Sequence, residues 1–456
     1  MSIKLINREN YKQKLTLNIE NKNKYGEIFT PFKLIDDMFN MMPIEYFKDK
    51  TKKWLDAGAG SGYFSMVLYW KLYDNLKDKI NNDDKRHNHI INNMIFLSEI
   101  NKENINNLYK LFGNKANIIE GDYLLHNDYY DYIIGNPPYN SNGLKKVPTN
   151  NKLNKKNDGK TIWTQFIRHS IHLLRENGNL LVIIPSIWMK PDKANMYSLL
   201  TSYKIKKLKC LTNTETNKIF NGYAQTPTCY FLLEKKMTDN IISLYDKDLK
   251  QYFNYNYSIN KPIPVYGISV INKIVKYLSK NNIMNVIKTN LPSKKVTITD
   301  TIDKTHQYIN IKTCILNGNH PKLVLNYSDK PLAFYDKKKI VLPHKMYGFP
   351  FLDLEGKYGI SNRDNYVILS ENDNELIRIQ KFLSTKTALY LFECTRYRMK
   401  YLDKYIFELI PDINKLIDFP NIINDETIFN YFQLDNEERN AIKKLHKKDY
   451  SFKYNI

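Results

Sequence analysis

The feature that most restricts this chain is the run Lys53–Ser65, KWLDAGAGSGYFS. A short apolar stretch ends at Asp56, glycines follow at Gly58, Gly60 and Gly62, and helix-like sequence begins at once. Glycine permits tight turns and lets the backbone come close to a ligand. The run therefore reads as a buried strand, a turn and a helix. Similar strand-like runs recur at Met94–Ile100, Ala116–Tyr123, Tyr130–Tyr139, Asn179–Pro185 and Thr226–Lys235, with helical stretches such as Thr164–Arg175 between them. Strand–helix alternation predicts an α/β fold, a parallel sheet with helices on both faces. In such sheets a ligand lies beyond the carboxyl ends of the strands. A nicotinamide or flavin site would prefer G-x-G-x-x-G, which this run does not contain.

After about Asp239 the pattern changes to Tyr- and Lys-rich segments broken by prolines. Strand-like runs at Lys338–His344 and Lys357–Leu369 precede a helical tail from Glu371. We therefore expect two domains, residues 1–240 and 241–456, the second of mixed α+β type. Two stretches read as surface insertions: Asp74–Asn93, and Asn140–Lys160 with its six lysines, which suits a DNA-facing loop.

Composition narrows the class. The 456 residues carry a net charge of +22, which favours a polyanionic partner. Part of the lysine excess also fits AT-rich coding, since Asn, Ile and Tyr are abundant too. The 4 cysteines are scattered without a C-x-x-C pair, so neither a disulfide framework nor a zinc site is supported. No apolar run approaches the roughly 18–20 residues of a membrane span, and the first residues lack a signal-peptide core. The expectation is a soluble, cytoplasmic protein.

Two acids follow later strands. Glu99 ends FLSE, where a carboxylate suits a ribose diol. Asp122 ends IIEGD, where it can accept from an adenine amine. Each alone reads equally as a helix cap; their order after the glycine turn gives them meaning. The sharpest signal is IIGNPPY, Ile133–Tyr139. Two prolines stiffen the backbone and remove two donors. The Pro137 carbonyl and the Asn136 carboxamide then offer two acceptors, enough for both hydrogens of an NH2 group, and Tyr139 offers a face to a planar ring.

These motifs together resemble the adenine-N6 DNA methyltransferases of restriction–modification systems, in the order with cofactor motifs first and the recognition domain last. The resemblance runs motif by motif from Tyr25 to Lys235. It implies a Rossmann-like domain that binds S-adenosylmethionine, followed by a target recognition domain, and needs no metal. YGEIFTPFKLIDDMF (Tyr25–Phe39) is similar to the most N-terminal motif, so Thr30 and Pro31 would line the methionine end of the cofactor. Asp56, Gly58, Gly60 and Gly62 match the glycine-rich motif, Glu99 the ribose acid and Asp122 the adenine reader. Tyr123 stands where the family often has phenylalanine. Asn136, Pro137, Pro138 and Tyr139 match the catalytic motif in full. KIFNGYAQTPTCYFLLEK (Lys218–Lys235) resembles the motif that stacks a second aromatic on the flipped base, with Phe220 the candidate and Tyr223 the runner-up. The gap from Asp56 to Glu99 exceeds the usual spacing of about 20 residues, and the Asp74–Asn93 insertion accounts for it.

By the resemblance, Asn136 and Pro137 bind N6, Tyr139 and Phe220 sandwich the base, and the methyl passes directly to nitrogen. The partner is double-stranded DNA; a separate cognate restriction endonuclease is compatible, and a monomer or weak dimer is expected. Basic and aromatic residues at Thr395–Tyr405, with Arg396, Arg398 and Lys400, and a loop expected to be exposed at Pro343–Phe351 suit DNA contacts. Alternative readings are an RNA adenine or protein glutamine methyltransferase, and an inactive DNA-binding relative.

Overall fold

The computed structural model describes residues 24–140, 161–224, 226–258, 260–317, 320–344, 349–398 and 401–445. The chain divides into two compact units, Met1–Leu244 and Tyr245–Ile456. KWLDAG forms β1 (Trp54–Ala57), buried at all four positions. β2 (Ile95–Glu99), β3 (Asn117–Glu120), β4 (Tyr130–Gly135) and β5 (Leu174–Pro185) follow. β6 (Tyr203–Leu211), β7 (Thr228–Met237), β8 (Ile241–Asp246) and β9 (Gln251–Asn256) complete the order β3-β2-β1-β4-β5-β7-β6-β8-β9.

The first five strands are parallel to one another. β7 is not: it lies antiparallel between β5 and β6. The expected all-parallel sheet is thus a mixed one. A parallel pair needs a crossover that carries the chain back along the sheet. The link from β6 to β7 instead turns the chain at one end, through the short helix Asn213–Ile219, and the strand returns beside its predecessor.

Helices cover the sheet. α1 (Phe32–Phe39) starts after Pro31, whose fixed φ suits a helix entry, and buries Leu34, Ile35, Met38 and Phe39. α2 (Tyr63–Asn75) buries nine of its residues, so it is enclosed rather than amphipathic. Between them Trp54 is fully buried, stacked on Tyr132 at 4.0 Å and on Phe47 at 5.5 Å. Gly62 opens α2 at φ +79°, and a Cβ there would lie 2.7 Å from Leu108 Cδ2 and 3.1 Å from Phe112 Cε2. Gly62→Val is expected to cost about 1–3 kcal/mol through this strained conformation, read as a lower denaturation midpoint.

Asp74–Asn93 is largely exposed, as expected of a surface insertion, yet it is anchored by buried residues. It holds α3 (Asp83–His89) and a π-helical turn, Ile90–Met94, whose Ile90, Ile91 and Met94 are buried. Arg86 is buried as well, 4.0 Å from the Tyr73 ring and paired with Asp83. His87 is bonded to the Tyr69 hydroxyl at 2.8 Å.

The second unit is of the mixed type expected. β10 (Ile287–Lys288), β17 (Asn365–Leu369), β14 (Lys339–Pro343) and β15 (Phe351–Asp353) form one four-stranded sheet in that order. β11 (Ile298–Thr299), β13 (His320–Ser328), β12 (Tyr308–Asn317) and β16 (Gly359–Ile360) form another. The helical tail begins with Asp373–Leu383 and Lys386–Cys394. Cys210, Cys229, Cys314 and Cys394 are all free and buried. Among the described residues no helix is long and apolar enough to cross a membrane, and no group of three His, Cys, Asp or Glu is placed to hold a metal ion.

Candidate active site

The carboxyl ends of β1, β2 and β4 and the turn after β3 converge on a cavity of about 350 Å³. This is where a doubly wound sheet is expected to take a ligand. Of the residues singled out from sequence, Thr30, Gly58, Gly60, Glu99, Asp122, Asn136, Pro137, Pro138, Tyr139 and Phe220 all line it. Pro31, Asp56 and Gly62 do not: Pro31 caps α1, Gly62 caps α2, and Asp56 stands behind the wall.

The glycine turn forms the floor. Gly58 (φ +82°) and Gly60 (φ +53°) adopt backbone that side chains disfavour, and a Cβ at Gly58 would meet nothing nearer than Phe166 at 4.0 Å. The turn therefore presents bare backbone to the cavity. Asp56 is 1% exposed and accepts from Ser65 Oγ at 2.7 Å, while its Oδ1 is buried without a partner. Burial raises its carboxyl to about 7.

Glu99 accepts from the backbone N–H of Gly60 at 2.6 Å, of Ile100 at 2.9 Å and of Asn101 at 2.7 Å. Burial nonetheless pushes its carboxyl up. Three bonds occupy most of the four lone-pair positions a carboxylate offers, so little capacity remains for a ligand hydroxyl. Asp122 is exposed and accepts from Leu124 N at 3.0 Å, which is the cap its position also allowed.

Beyond β4, Gly135 (φ +146°) passes so close to β1 that a Cβ would lie 3.1 Å from the Ala57 carbonyl oxygen. That approach fixes where NPPY leaves the sheet. Asn136 Nδ2 donates to Thr30 Oγ1 at 3.1 Å. Asn136 Oδ1 is buried and has no hydrogen-bond partner. Buried acceptors are seldom left unmade, so this oxygen marks a place for an external donor. Phe220 is 3% exposed and belongs to the hydrophobic core behind the wall, whereas Tyr223 does not line the cavity.

Sequence reasoning missed several lining residues, among them Ile100, Phe166, Asn104 and Glu27. Ile100 is 52% exposed directly after Glu99, an apolar face where a strand end should be polar. Phe166 stacks on Tyr123 at 5.0 Å and 21°, and Tyr123 also bonds Ser170 at 2.8 Å. Ile100 and Phe166 both line the cavity, so both carry apolar surface for a flat group. Asn104 and Glu27 are bonded to each other: Glu27 Oε1 accepts from Asn104 Nδ2 at 3.2 Å. An apolar residue directly after Glu99 flags Ile100; nothing local in sequence flags Glu27 beyond its place inside GEIFTP.

Other expectations fare differently. Arg396 is held by Glu393 at 3.0 Å and its side chain is only 10% exposed, so it stabilises the second unit rather than reaching outward. Phe349, placed in a loop expected to be exposed, is 1% exposed. Arg398 is exposed. The lysine-rich stretch after Asn140, Lys400 and the centre of Pro343–Phe351 lie outside the described residues.

Comparison with known proteins bears on the family the chain resembles. The family model described as Eco57I restriction-modification methylase matches residues 9–220. The chain is similar to the type II methyltransferase M.AccI of Acinetobacter calcoaceticus, 27% identical over 292 residues, covering 60% of this chain and 50% of that protein. It is also similar to the type II restriction enzyme and methyltransferase RM.Eco57I of Escherichia coli, 31% identical over 135 residues, covering 28% of this chain and 13% of that protein. The chain thus spans half of the first relative and a small part of the second. Among solved structures, the type IIL restriction-modification enzyme MmeI in complex with DNA matches at TM-score 0.44 and 12% identity, over 85% of this chain and 69% of that one. The chain resembles restriction–modification methyltransferases, as its motifs implied.

Proposed function

We propose that this chain is a DNA methyltransferase that moves a methyl group from S-adenosylmethionine to the N6 amine of an adenine flipped out of double-stranded DNA. The observation that carries this reading is the partnerless Asn136 Oδ1 in the wall of a cavity whose other wall is acidic and glycine-lined.

The residues fit the donor. It is a cation with a ribose diol and a flat purine; the cavity offers carboxyls at Glu27, Glu99 and Asp122, bare backbone at Gly58 and Gly60, and apolar faces at Ile100 and Phe166. When bound, S-adenosylmethionine supplies an electrophilic methyl on a sulfonium centre. The chain's own work is to present a nucleophile. An aromatic amine is a poor one because its lone pair is delocalised into the ring. Asn136 Oδ1 and the Pro137 carbonyl can each accept one N–H, which favours a pyramidal nitrogen with its lone pair free. Thr30 holds the Asn136 amide so that oxygen rather than nitrogen is left for the substrate. Tyr139, half-buried and lining the same cavity, supplies the ring face on which the base stacks, with Phe220 as the apolar backing. The second unit, Tyr245–Ile456, is proposed to read the DNA target, and the +22 charge supplies attraction to phosphate.

The test is transfer of labelled methyl from S-adenosylmethionine to unmethylated duplex DNA, followed by nucleoside analysis. N6-methyladenine is expected. Label that survives DNase but is lost on RNase digestion would replace the DNA claim with an RNA one, and label in protein would replace both.

A further inference from the structure

We propose that His344 is a proton-linked phosphate contact: clamped between two tyrosines of the second unit, beside Lys288 and Arg398, it takes up a proton when a phosphate of duplex DNA settles against it. This rests on the reading above, in which the second unit meets the DNA.

Four separate segments bring the groups together. His344 directly follows β14, Arg363 and Asp364 precede β17, Lys288 ends β10, and Arg398, Tyr401 and Asp403 follow the helix Lys386–Cys394. The His344 backbone is tied on both sides: its N–H donates to the Asp364 carbonyl at 2.8 Å, and its carbonyl accepts from Leu402 N at 2.7 Å. The ring stacks on Tyr401 at 4.9 Å and 30°, and stands edge-on to Tyr366 at 5.6 Å. The Tyr366 hydroxyl in turn donates to the Leu402 carbonyl at 2.9 Å. The imidazole is thus held in one orientation before any ligand arrives. Its Nδ1 is buried and makes no hydrogen bond, with Asp364 Oδ1 standing off at 3.7 Å. Around this ring the surface is basic. Lys288, Arg363 and Arg398 are exposed, and so is Tyr401.

Burial first, then the Lys288 charge, holds the imidazole below its usual range; Asp364 and Asp403 pull it up, and Arg398 adds to the lowering. Arg363, 4.0 Å from Asp364, draws on the same carboxylate. The ring is therefore mostly neutral at pH 7 in the free protein. A phosphate seated on Lys288 and Arg398 offsets the charges that repel the proton, so the protonated form gains. Asp364 is placed to accept the Nδ1 proton after a small approach, which leaves Nε2–H for the phosphate oxygen. The partner is phosphate rather than a base edge for a geometric reason. Phosphates are the outermost groups of a duplex, whereas a side chain that reads bases must project into a groove. The His344 side chain is 14% exposed and clamped, so it cannot project.

Affinity for duplex DNA should therefore rise as pH falls. The experiment is binding of mixed-sequence duplex oligonucleotides to the full chain across pH 6 to pH 8, for wild type, His344→Gln and Lys288→Gln. His344→Gln is expected to match wild type at pH 8 and to bind about threefold more weakly at pH 6. Other histidines titrate in both proteins, so their difference isolates His344. The loss should be the same for duplexes of different sequence, because phosphate carries no sequence information. Calorimetry in two buffers of different ionisation enthalpy should show more proton uptake per duplex in wild type than in His344→Gln. Lys288→Gln removes a charge that opposes protonation, so its affinity-against-pH curve should move to higher pH, a displacement that a purely structural lysine would not cause. Superimposable pH curves for wild type and His344→Gln would overturn the proposal, as would a Lys288→Gln curve that stays in place. A loss confined to one duplex sequence would make His344 a base reader and overturn the phosphate contact. If wild type methylates duplex DNA and none of these differences is seen, this proposal falls alone. If wild type neither binds nor methylates duplex DNA, the DNA reading falls and takes this proposal with it.

Discussion

Asn136→Ala is expected to lower single-turnover methyl transfer about 10²–10³-fold while leaving donor affinity within about twofold. Asn136 Oδ1 is a buried acceptor without a partner in the cavity wall, and its Nδ2 is spent on Thr30. Alanine leaves the incoming amine with the Pro137 carbonyl alone, so one N–H is desolvated without an acceptor and the nitrogen keeps its planar, delocalised lone pair. The loss falls on the reacting state more than on binding, because a flipped base still stacks on Tyr139. Asn136→Asp separates geometry from charge. It keeps an acceptor at the same place and can receive a bond from the Thr30 hydroxyl, so it should fall between wild type and Ala. Rapid-quench measurements with pre-bound duplex give the chemical step, and calorimetry gives donor affinity. A variant that keeps half of the wild-type rate would remove Asn136 from the reaction. One that loses donor binding in proportion would make it a cofactor residue.

The parts of this molecule that were legible in the sequence are those where backbone requirements dictate residue type. Gly58, Gly60 and Gly62 all have positive φ, and only glycine sits there without strain. β1 to β5 appear where apolar runs alternate with helical stretches, because a strand covered on both faces reads as a continuous apolar run. Direction is another matter. β7 reads as a strand from TPTCYFLLEK, yet its antiparallel setting comes from where the preceding turn returns the chain, which no side-chain pattern encodes. Composition places the Asp74–Asn93 stretch at the surface, where most of it lies, but registers charge and not pairing, so it gives no sign of Arg86 buried against Tyr73 and Asp83. In the site, motif spacing located the residues along each strand end. It missed Glu27 and Phe166 because their roles come from what lies across the cavity rather than from what lies next in sequence.

The second unit holds the sharpest test of that limit. In KKKIVLPH every lysine looks like solvent-exposed charge, yet Lys339 and Asp353 are 0% and 2% exposed at the side chain and pair directly. They face each other in the β14–β15 register, so the sheet itself brings them together. The Lys339 ammonium also donates to the Lys337 carbonyl at 3.0 Å, and Asp353 accepts from the backbone of Lys357 at 3.1 Å and Tyr358 at 3.2 Å. Burial outweighs the attraction of Asp353 and holds the lysine below its usual range. Lys339→Met keeps the stem's volume but strands a carboxylate in the interior. It is expected to destabilise the second unit by about 3–5 kcal/mol. Lys339→Met with Asp353→Leu removes both charges and should recover most of that loss, short of the two backbone N–H bonds that Asp353 satisfied. Urea unfolding followed by tryptic cleavage patterns would assign the transition to the second unit, since two units need not melt together. Duplex affinity of Lys339→Met should fall at temperatures where that unit is open, with donor binding by the first unit kept. A single substitution as stable as wild type would show that water reaches the pair. A double substitution no better than the single would show that the side chains' packing, not their charge, holds this sheet.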